Sequence, residues 1–366
     1  MRIFFAAPAT AHQAALPKST LWHANLCAPL VDLGHDVTIF DFDYKDFNWN
    51  LDPTDDQQRR FIETHRPRFS EELVAQFLAA HRKEPIDLFF SYFYSSYVEP
   101  EAIRTIGRAG AVTMNWYCNA SYQFHLVEEI APAYDYCLVP ERFRLENYRA
   151  VGATPIYCQE AANAAVYKPY DLPVEFDATF VGQRYADRGE YLRRLLDAGI
   201  DTRAWGPNWT EPDSPTSLVR TLKDVARGRP RRAPRSLPPD RCGPALSDDE
   251  YIRMYSRSAM SLGFTKVAVF NRDGSAIRQV RLRDFEATMS GAFYLVERCD
   301  ELFDFFEPDR EVVVFDEPEE LVEKATYYLA NETERTRIRK AGLLRARRDH
   351  TWHARFRMVF AKIGLV

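Results

Sequence analysis

The stretch Ala178-Thr-Phe-Val-Gly182, then a helix-like segment Gly189–Ala198, then Thr202-Arg-Ala-Trp205 ahead of Gly206-Pro207, decides the reading of the fold. It is strand, helix, strand in mid-chain, so an alternating series starts there afresh. An earlier series runs up to it. Residues 2–7 read as a buried strand, Ser19–Leu33 as a helix closed by Gly34, and His35–Phe40 as a second strand. A helix at Glu71–His81 after a Ser70 cap, a strand at Ile86–Ser91, a helix at Pro100–Ala109 and a strand at Ala111–Trp116 follow. Weaker signals at Phe124–Ile130, Tyr136–Val139, Phe143–Ala150 and Thr154–Tyr157 lead to Lys168-Pro-Tyr-Asp-Leu-Pro173, which reads as a connection. Alternation of this kind predicts parallel sheets in an α/β fold.

The second series resumes after residue 248. Helices are expected at Asp249–Arg257, Gln279–Ser290, Glu301–Phe306 and Pro318–Leu329, and strands at Met260–Gly263, Phe293–Val296 and Val312–Phe315. Two further helices, Glu332–Arg348 and His353–Ile363, close the chain. The expected domains are therefore 1–170 and 171–350, with 351–366 as a C-terminal helix packing back on the first. Residues 212–244 are Pro-rich and locally basic, as in Arg227-Gly-Arg-Pro-Arg-Arg-Ala-Pro-Arg235, and read as an inserted loop. No aromatic side chains interleave those arginines, which argues against a nucleic-acid arm.

With 48 basic and 53 acidic side chains the net charge of −5 supplies no global field toward nucleic acid or anionic lipid. No nucleic-acid partner is expected. The six cysteines form no C-x-x-C pair, which speaks against a zinc or redox motif. No run of 18 apolar residues suggests a membrane span, and the N-terminal residues lack signal-peptide features, so a cytoplasmic protein is expected.

The most informative chemistry lies in Arg278-Gln-Val-Arg-Leu-Arg-Asp-Phe-Glu286-Ala-Thr-Met-Ser-Gly291. On a helix, Leu282, Phe285 and Met289 share a face with Glu286, which places the carboxylate beside apolar packing. A ribose, with two hydroxyl donors, would suit it. A surface ion pair with Arg283 is the plainer alternative.

Arg281-Leu-Arg-Asp-Phe-Glu-Ala-Thr-Met-Ser-Gly-Ala-Phe-Tyr-Leu295 resembles the donor-domain signature of CgeB-like glycosyltransferases. So do Phe180-Val-Gly-Gln-Arg-Tyr-Ala-Asp-Arg188, Ala204-Trp-Gly-Pro-Asn-Trp209, the segment from Glu301-Leu-Phe to Pro318-Glu-Glu-Leu-Val322, and His350-Thr-Trp352 with Arg355. The resemblance is near-continuous from about 176 to 360 outside the insertion, and patchier from 110 to 170. It implies the GT-B architecture: two facing Rossmann-like domains with parallel sheets and C-terminal helices, the donor nucleotide on the second. It also implies a metal-independent sugar transfer from a nucleoside diphosphate sugar, UDP or GDP being the expected nucleotide, to an acceptor that is a glycan, small molecule or protein. By that resemblance Glu286 matches the second glutamate of the E-x7-E motif of related retaining enzymes, the one that holds the ribose. The first position falls on Arg278, which leaves the retaining or inverting outcome open.

In such an enzyme the departing diphosphate is neutralised by cations and a helix N-terminus. Gly182, Arg184 and Arg188 sit where the first strand of the second domain meets its helix, and Arg281 and Arg283 open the helix that carries Glu286. These are the expected donor contacts. His12 and His125, each just past a strand, are candidate bases for an inverting transfer, whereas His23 reads as packed in its helix. Asn119 and Asn163 are candidate polar contacts for the acceptor. Asp41-Phe-Asp43 has the D-x-D form of a metal-bound donor site but follows a βαβ strand, and His350 with His353 lacks accompanying ligands, so no metal is expected. Two other classes share the pattern: a non-catalytic nucleotide-sugar scaffold or sensor, and an epimerase acting on the nucleotide sugar.

Overall fold

The computed structural model describes residues 1–7, 20–44, 51–210, 236–271 and 273–365. His12 and residues 212–235 of the expected insertion lie outside them. The chain divides into two compact units, Met1–Val166 with Asp349–Val366, and Tyr167–Arg348. No helix among the described residues is long and apolar enough to cross a membrane.

The first unit is built from β1 (Arg2–Ala6), a π-helical turn leading into α1 (Ala28–Asp32), β2 (Asp36–Ile39), α2 (Asp56–Lys83), β3 (Leu88–Ser91), α3 (Pro100–Arg108), β4 (Val112–Trp116), α4 (Ala120–Gln123), β5 (Tyr136–Val139), α5 (Leu145–Ala150) and β6 (Pro155–Tyr157). Its sheet runs β2-β1-β3-β4-β5-β6, every pair parallel. All four residues of Leu88-Phe-Phe-Ser91 are buried, as expected of a central parallel strand covered on both faces.

One helix differs from expectation. α2 starts 15 residues before Glu71, at an Asp55 cap whose carboxylate accepts from the Gln57 and Gln58 amides. Ser70 is not a cap: its Oγ donates to Arg66 O (2.8 Å) and accepts from the Glu99 amide (2.9 Å). A helix can retain Pro67 at the loss of one internal hydrogen bond.

The second unit comprises β7 (Phe176–Val181), α6 (Arg188–Asp197), β8 (Thr202–Trp205), β9 (Cys242–Gly243), α7 (Asp248–Arg257), β10 (Ser258–Gly263), β11 (Lys266–Phe270), β12 (Ala276–Arg278), α8 (Leu282–Met289), β13 (Tyr294–Glu297), β14 (Val313–Phe315), α9 (Pro318–Ala330) and α10 (Glu332–Asp349). Its parallel sheet runs β14-β13-β10-β7-β8-β9. The strand order reverses between β7 and β10, which opens a crevice at their carboxyl ends. Phe180, Leu262, Phe264, Leu295 and Phe315 are all buried in the core that seats this sheet.

Two features depart from the sequence reading. Lys266–Arg278 folds as the antiparallel hairpin β11–β12, so the expected helix from Gln279 begins only at Leu282. Residues 300–304 form a 3₁₀ turn in place of an α-helix. The final helix, α11 (Trp352–Ile363), belongs to the first unit, where the fully buried Trp352 meets Trp116 edge-on at 5.1 Å.

Candidate functional site

The carboxyl ends of β7 and β10 and the start of α8 bring together Gly182, Arg188, Arg281 and Arg283. Gly182 must be small: a Cβ there would lie 2.6 Å from Arg283 Nη2 and 2.9 Å from Phe180 Cζ. Its amide donates to Trp205 O (2.8 Å) and its carbonyl accepts from Trp209 Nε1 (2.6 Å), tying the loops after β7 and β8 together. Gly206 completes that approach with φ 137°, since a Cβ would meet Gly182 O at 2.5 Å.

Arg188 is 3% exposed and donates Nη1 to Gln183 O (2.8 Å) and Nη2 to Tyr185 Oη. Burial pushes its pKa down to about 9, with Arg281 and Arg283 nearby adding to the decrease, and it stays charged at neutral pH. Arg281 donates to the same Tyr185 hydroxyl (2.9 Å) and to Lys266 O (3.0 Å). Arg283 stacks over Phe180 with 5.1 Å from its guanidinium carbon to the ring centroid. The Nε groups of Arg188, Arg281 and Arg283 are buried with no hydrogen-bond partner among the described residues. Three cations at the starts of two helices, with donors unspent, form an anion-binding arrangement.

Glu286 lies one turn into α8 and is 3% exposed, so it is not the surface ion-pair residue of the plainer reading. Tyr251 of α7 donates to its Oε2 (2.7 Å), and Tyr255 in turn donates to Tyr251. Burial raises the carboxyl above its usual range. Hydrogen bonds from Tyr167 and Tyr251, and the Arg283 charge, pull it partly back. Oε1 has no partner among the described residues. Asp284 anchors the same helix start, accepting from the Arg281 amide (2.8 Å) and from Tyr294 Oη (2.7 Å).

Arg184 lies in the loop after β7, its amide donating to Pro207 O (3.0 Å), and its charge partly offsets the burial that raises the Cys242 thiol. Arg278, at the first motif position, ends β12 and lies 4.0 Å from the buried Glu297. Glu297 also binds Lys266 Nζ (2.7 Å) and accepts from the Thr265 and Lys266 amides, both at 3.0 Å. Lys266 reaches Asp187 (3.0 Å) as well. Burial alone would lower the Lys266 ammonium, but Glu297, Asp187 and Tyr191 outweigh it and hold its pKa high. Tyr185, Tyr251, Tyr255, Lys266 and Glu297 were not legible as site residues, since they approach the α8 segment only through the sheet and the hairpin.

In the first unit, His125 is exposed with Nε2 3.6 Å from Asp52 Oδ2. His23 is exposed, which corrects the expectation that it packs in its helix. Asn119 is half-buried at the start of α4. Asn163 is 1% exposed and spends its side chain on Ala24 O (2.8 Å) and the Ala165 amide (3.0 Å). Asp41 and Asp43 are exposed, His350 is buried, and His353 faces Asp32 at 3.1 Å. Among the described residues no three His, Cys, Asp or Glu side chains are grouped to hold a metal.

Residues 188–361 match the family model described as glycosyl transferase-like. The sucrose-phosphate synthase of Thermosynechococcus elongatus superposes with a TM-score of 0.60 at 13% identity, over 100% of this chain and 99% of that one. The fold is GT-B. Anabaena HepE in complex with UDP-glucose shares it, with a TM-score of 0.56 at 11% identity and complete coverage of both chains. So does a mutant T4 phage BGT bound to UDP-glucose, with 0.56 at 10% identity over 99% of each chain. No curated protein matches the sequence significantly. In this GT-B chain the arginine cluster and Glu286 occupy the second unit, at the reversal point of its sheet.

Proposed function

We propose that this chain is a CgeB-like glycosyltransferase that moves a sugar from a nucleoside diphosphate sugar to an acceptor held by the first unit. The observation that carries the reading is the set of three buried, unsatisfied guanidinium Nε groups, Arg188 at the start of α6 and Arg281 and Arg283 at the start of α8, the last two about one turn from a buried carboxylate. Arg188, Arg281 and Arg283 would bind the diphosphate and neutralise the charge it gains as it departs. Glu286 would accept a ribose hydroxyl. UDP-sugars in HepE and in T4 phage BGT make UDP the first nucleotide to test. With cations in place at the leaving group, no metal is required for departure. Arg184 is proposed as a more peripheral contact, and His125, oriented by Asp52, as the acceptor's base in an inverting transfer.

The test is thermal stabilisation by UDP, GDP, CDP, ADP and dTDP of the wild type and of Glu286→Ala. A ligand at 100 times its Kd stabilises by about 2.7 kcal/mol, so one nucleotide should raise the melting temperature clearly and lose that effect in the variant. If no nucleotide stabilises the folded wild type at millimolar concentration, the donor assignment is wrong.

A further inference from the structure

The loop joining β7 to α6 contains a contact that donor binding by itself does not require. Tyr185 Oη is a neutral oxygen, yet it accepts from two guanidinium groups, Arg188 Nη2 and Arg281 Nη2. The Arg188 guanidinium also lies over the Tyr185 ring, 3.7 Å from its centroid. A phenol oxygen has two lone pairs, and both are spent. Two cations on one neutral acceptor are poorly matched, because bonds in which both partners are charged are stronger than bonds to a neutral oxygen. The unsatisfied Nε groups on the same arginines show that the cluster is built for more acceptor than the phenol supplies.

The neighbouring backbone is strained in the same loop. Ala186 has φ 53°, in the left-handed region that an alanine adopts only when its surroundings impose it. The ties that would remain without the phenol are also visible. Arg188 keeps Gln183 O through Nη1 (2.8 Å), and Arg281 keeps Lys266 O (3.0 Å). The cations can therefore stay in place while the tyrosine leaves.

We propose that Tyr185 is a latch: its hydroxyl occupies the seat that a phosphoryl oxygen of the donor takes, and diphosphate binding displaces it and releases the strained loop. The inference rests on the donor reading above. It makes Tyr185 a competitor of the ligand, with a sign opposite to that of a residue that contacts the donor. A site closed for part of the time binds more weakly by the fraction of time it is open.

Isothermal titration of the full chain with inorganic pyrophosphate, UDP and GDP tests it on four proteins: wild type, Tyr185→Phe, Ala186→Gly and Arg281→Ala. Tyr185→Phe keeps the ring over Arg188 and deletes the competing oxygen, so pyrophosphate and the preferred nucleotide should bind about three- to tenfold tighter. Ala186→Gly relieves strain in the latched loop only, and should bind them about two- to fivefold more weakly. Arg281→Ala should lose binding. Melting curves establish that each variant is folded, and the two loop variants change affinity in opposite directions, which general destabilisation would not do. Wild-type binding that is unchanged or weakened in Tyr185→Phe overturns the latch and leaves the donor site standing. No binding of any probe to any of the four proteins overturns the donor site and the latch together.

Discussion

Tyr251→Phe removes one hydroxyl and with it two hydrogen bonds, the 2.7 Å donation to Glu286 Oε2, whose loss depends on pH, and the donation received from Tyr255, whose loss does not. A hydrogen bond to a charged, buried group contributes about 1.5–3 kcal/mol, and phenylalanine leaves the ring packing in place. The Glu286 part of the loss must depend on pH, because only the ionised carboxylate depends strongly on the donor. Burial already raises the Glu286 carboxyl above the usual carboxylate range, and the Tyr251 bond opposes that rise. Deleting it raises the folded pKa further. A folded pKa above the unfolded one means that the folded state binds more protons, so stability falls as pH climbs from the unfolded value through the folded one. Near about pH 4.5 the variant therefore differs from the wild type only by the lost Tyr255 bond, the difference grows once pH passes the wild-type folded pKa, and it is complete above the variant's own. For a unit of this size about 2 kcal/mol is a drop of roughly 4–8 °C in Tm. Urea unfolding of both proteins at about pH 5 and pH 8, followed by tyrosine and tryptophan fluorescence, gives the comparison. A difference at pH 8 below about 0.5 kcal/mol, or an equal difference at both pH values, would refute the coupling between Tyr251 and an ionised Glu286.

Two further outcomes are expected. Gly206→Ala should destabilise the second unit by on the order of 3 kcal/mol, since its φ of 137° disfavours any side chain and the new Cβ would lie 2.5 Å from Gly182 O; an unchanged denaturation midpoint would contradict it. His125→Ala should lower turnover by about 10²–10⁴-fold, the usual contribution of a positioned base, while nucleotide affinity measured by titration stays at the wild-type value; unaltered turnover would remove His125 from the mechanism.

Much of the architecture was legible because parallel strands covered on both faces are written as apolar runs, as in Leu88-Phe-Phe-Ser91 and Tyr294-Leu-Val-Glu297, both wholly buried. Helix ends were legible where local chemistry marks them, as with Pro100 at the first turn of α3. The start of α2 was misread because Ser70 has the chemistry of a cap, and only its tertiary partner, the Glu99 amide, shows that it serves another segment. The hairpin at 266–278 escaped notice because two short strands pair through contacts that no periodicity announces.

The sequence by itself determined two β-α-β series, the placing of Glu286 on the helix face that carries Phe285 and Met289, and the grouping of Arg281 and Arg283 at one helix start, whereas the burial of Glu286 was settled by the structure. Those three features follow from residues within a few positions of each other, where helical and strand geometry dictate neighbours. Only the tertiary structure decided that Arg188 shares the Tyr185 hydroxyl with Arg281, that Tyr251 holds Glu286, and that Tyr185 sits between two guanidinium groups. Those contacts join residues tens of positions apart, brought together where the strand order reverses between β7 and β10. Which side chains meet there depends on the crossing of the chain and on loop geometry, neither of which is encoded in local spacing.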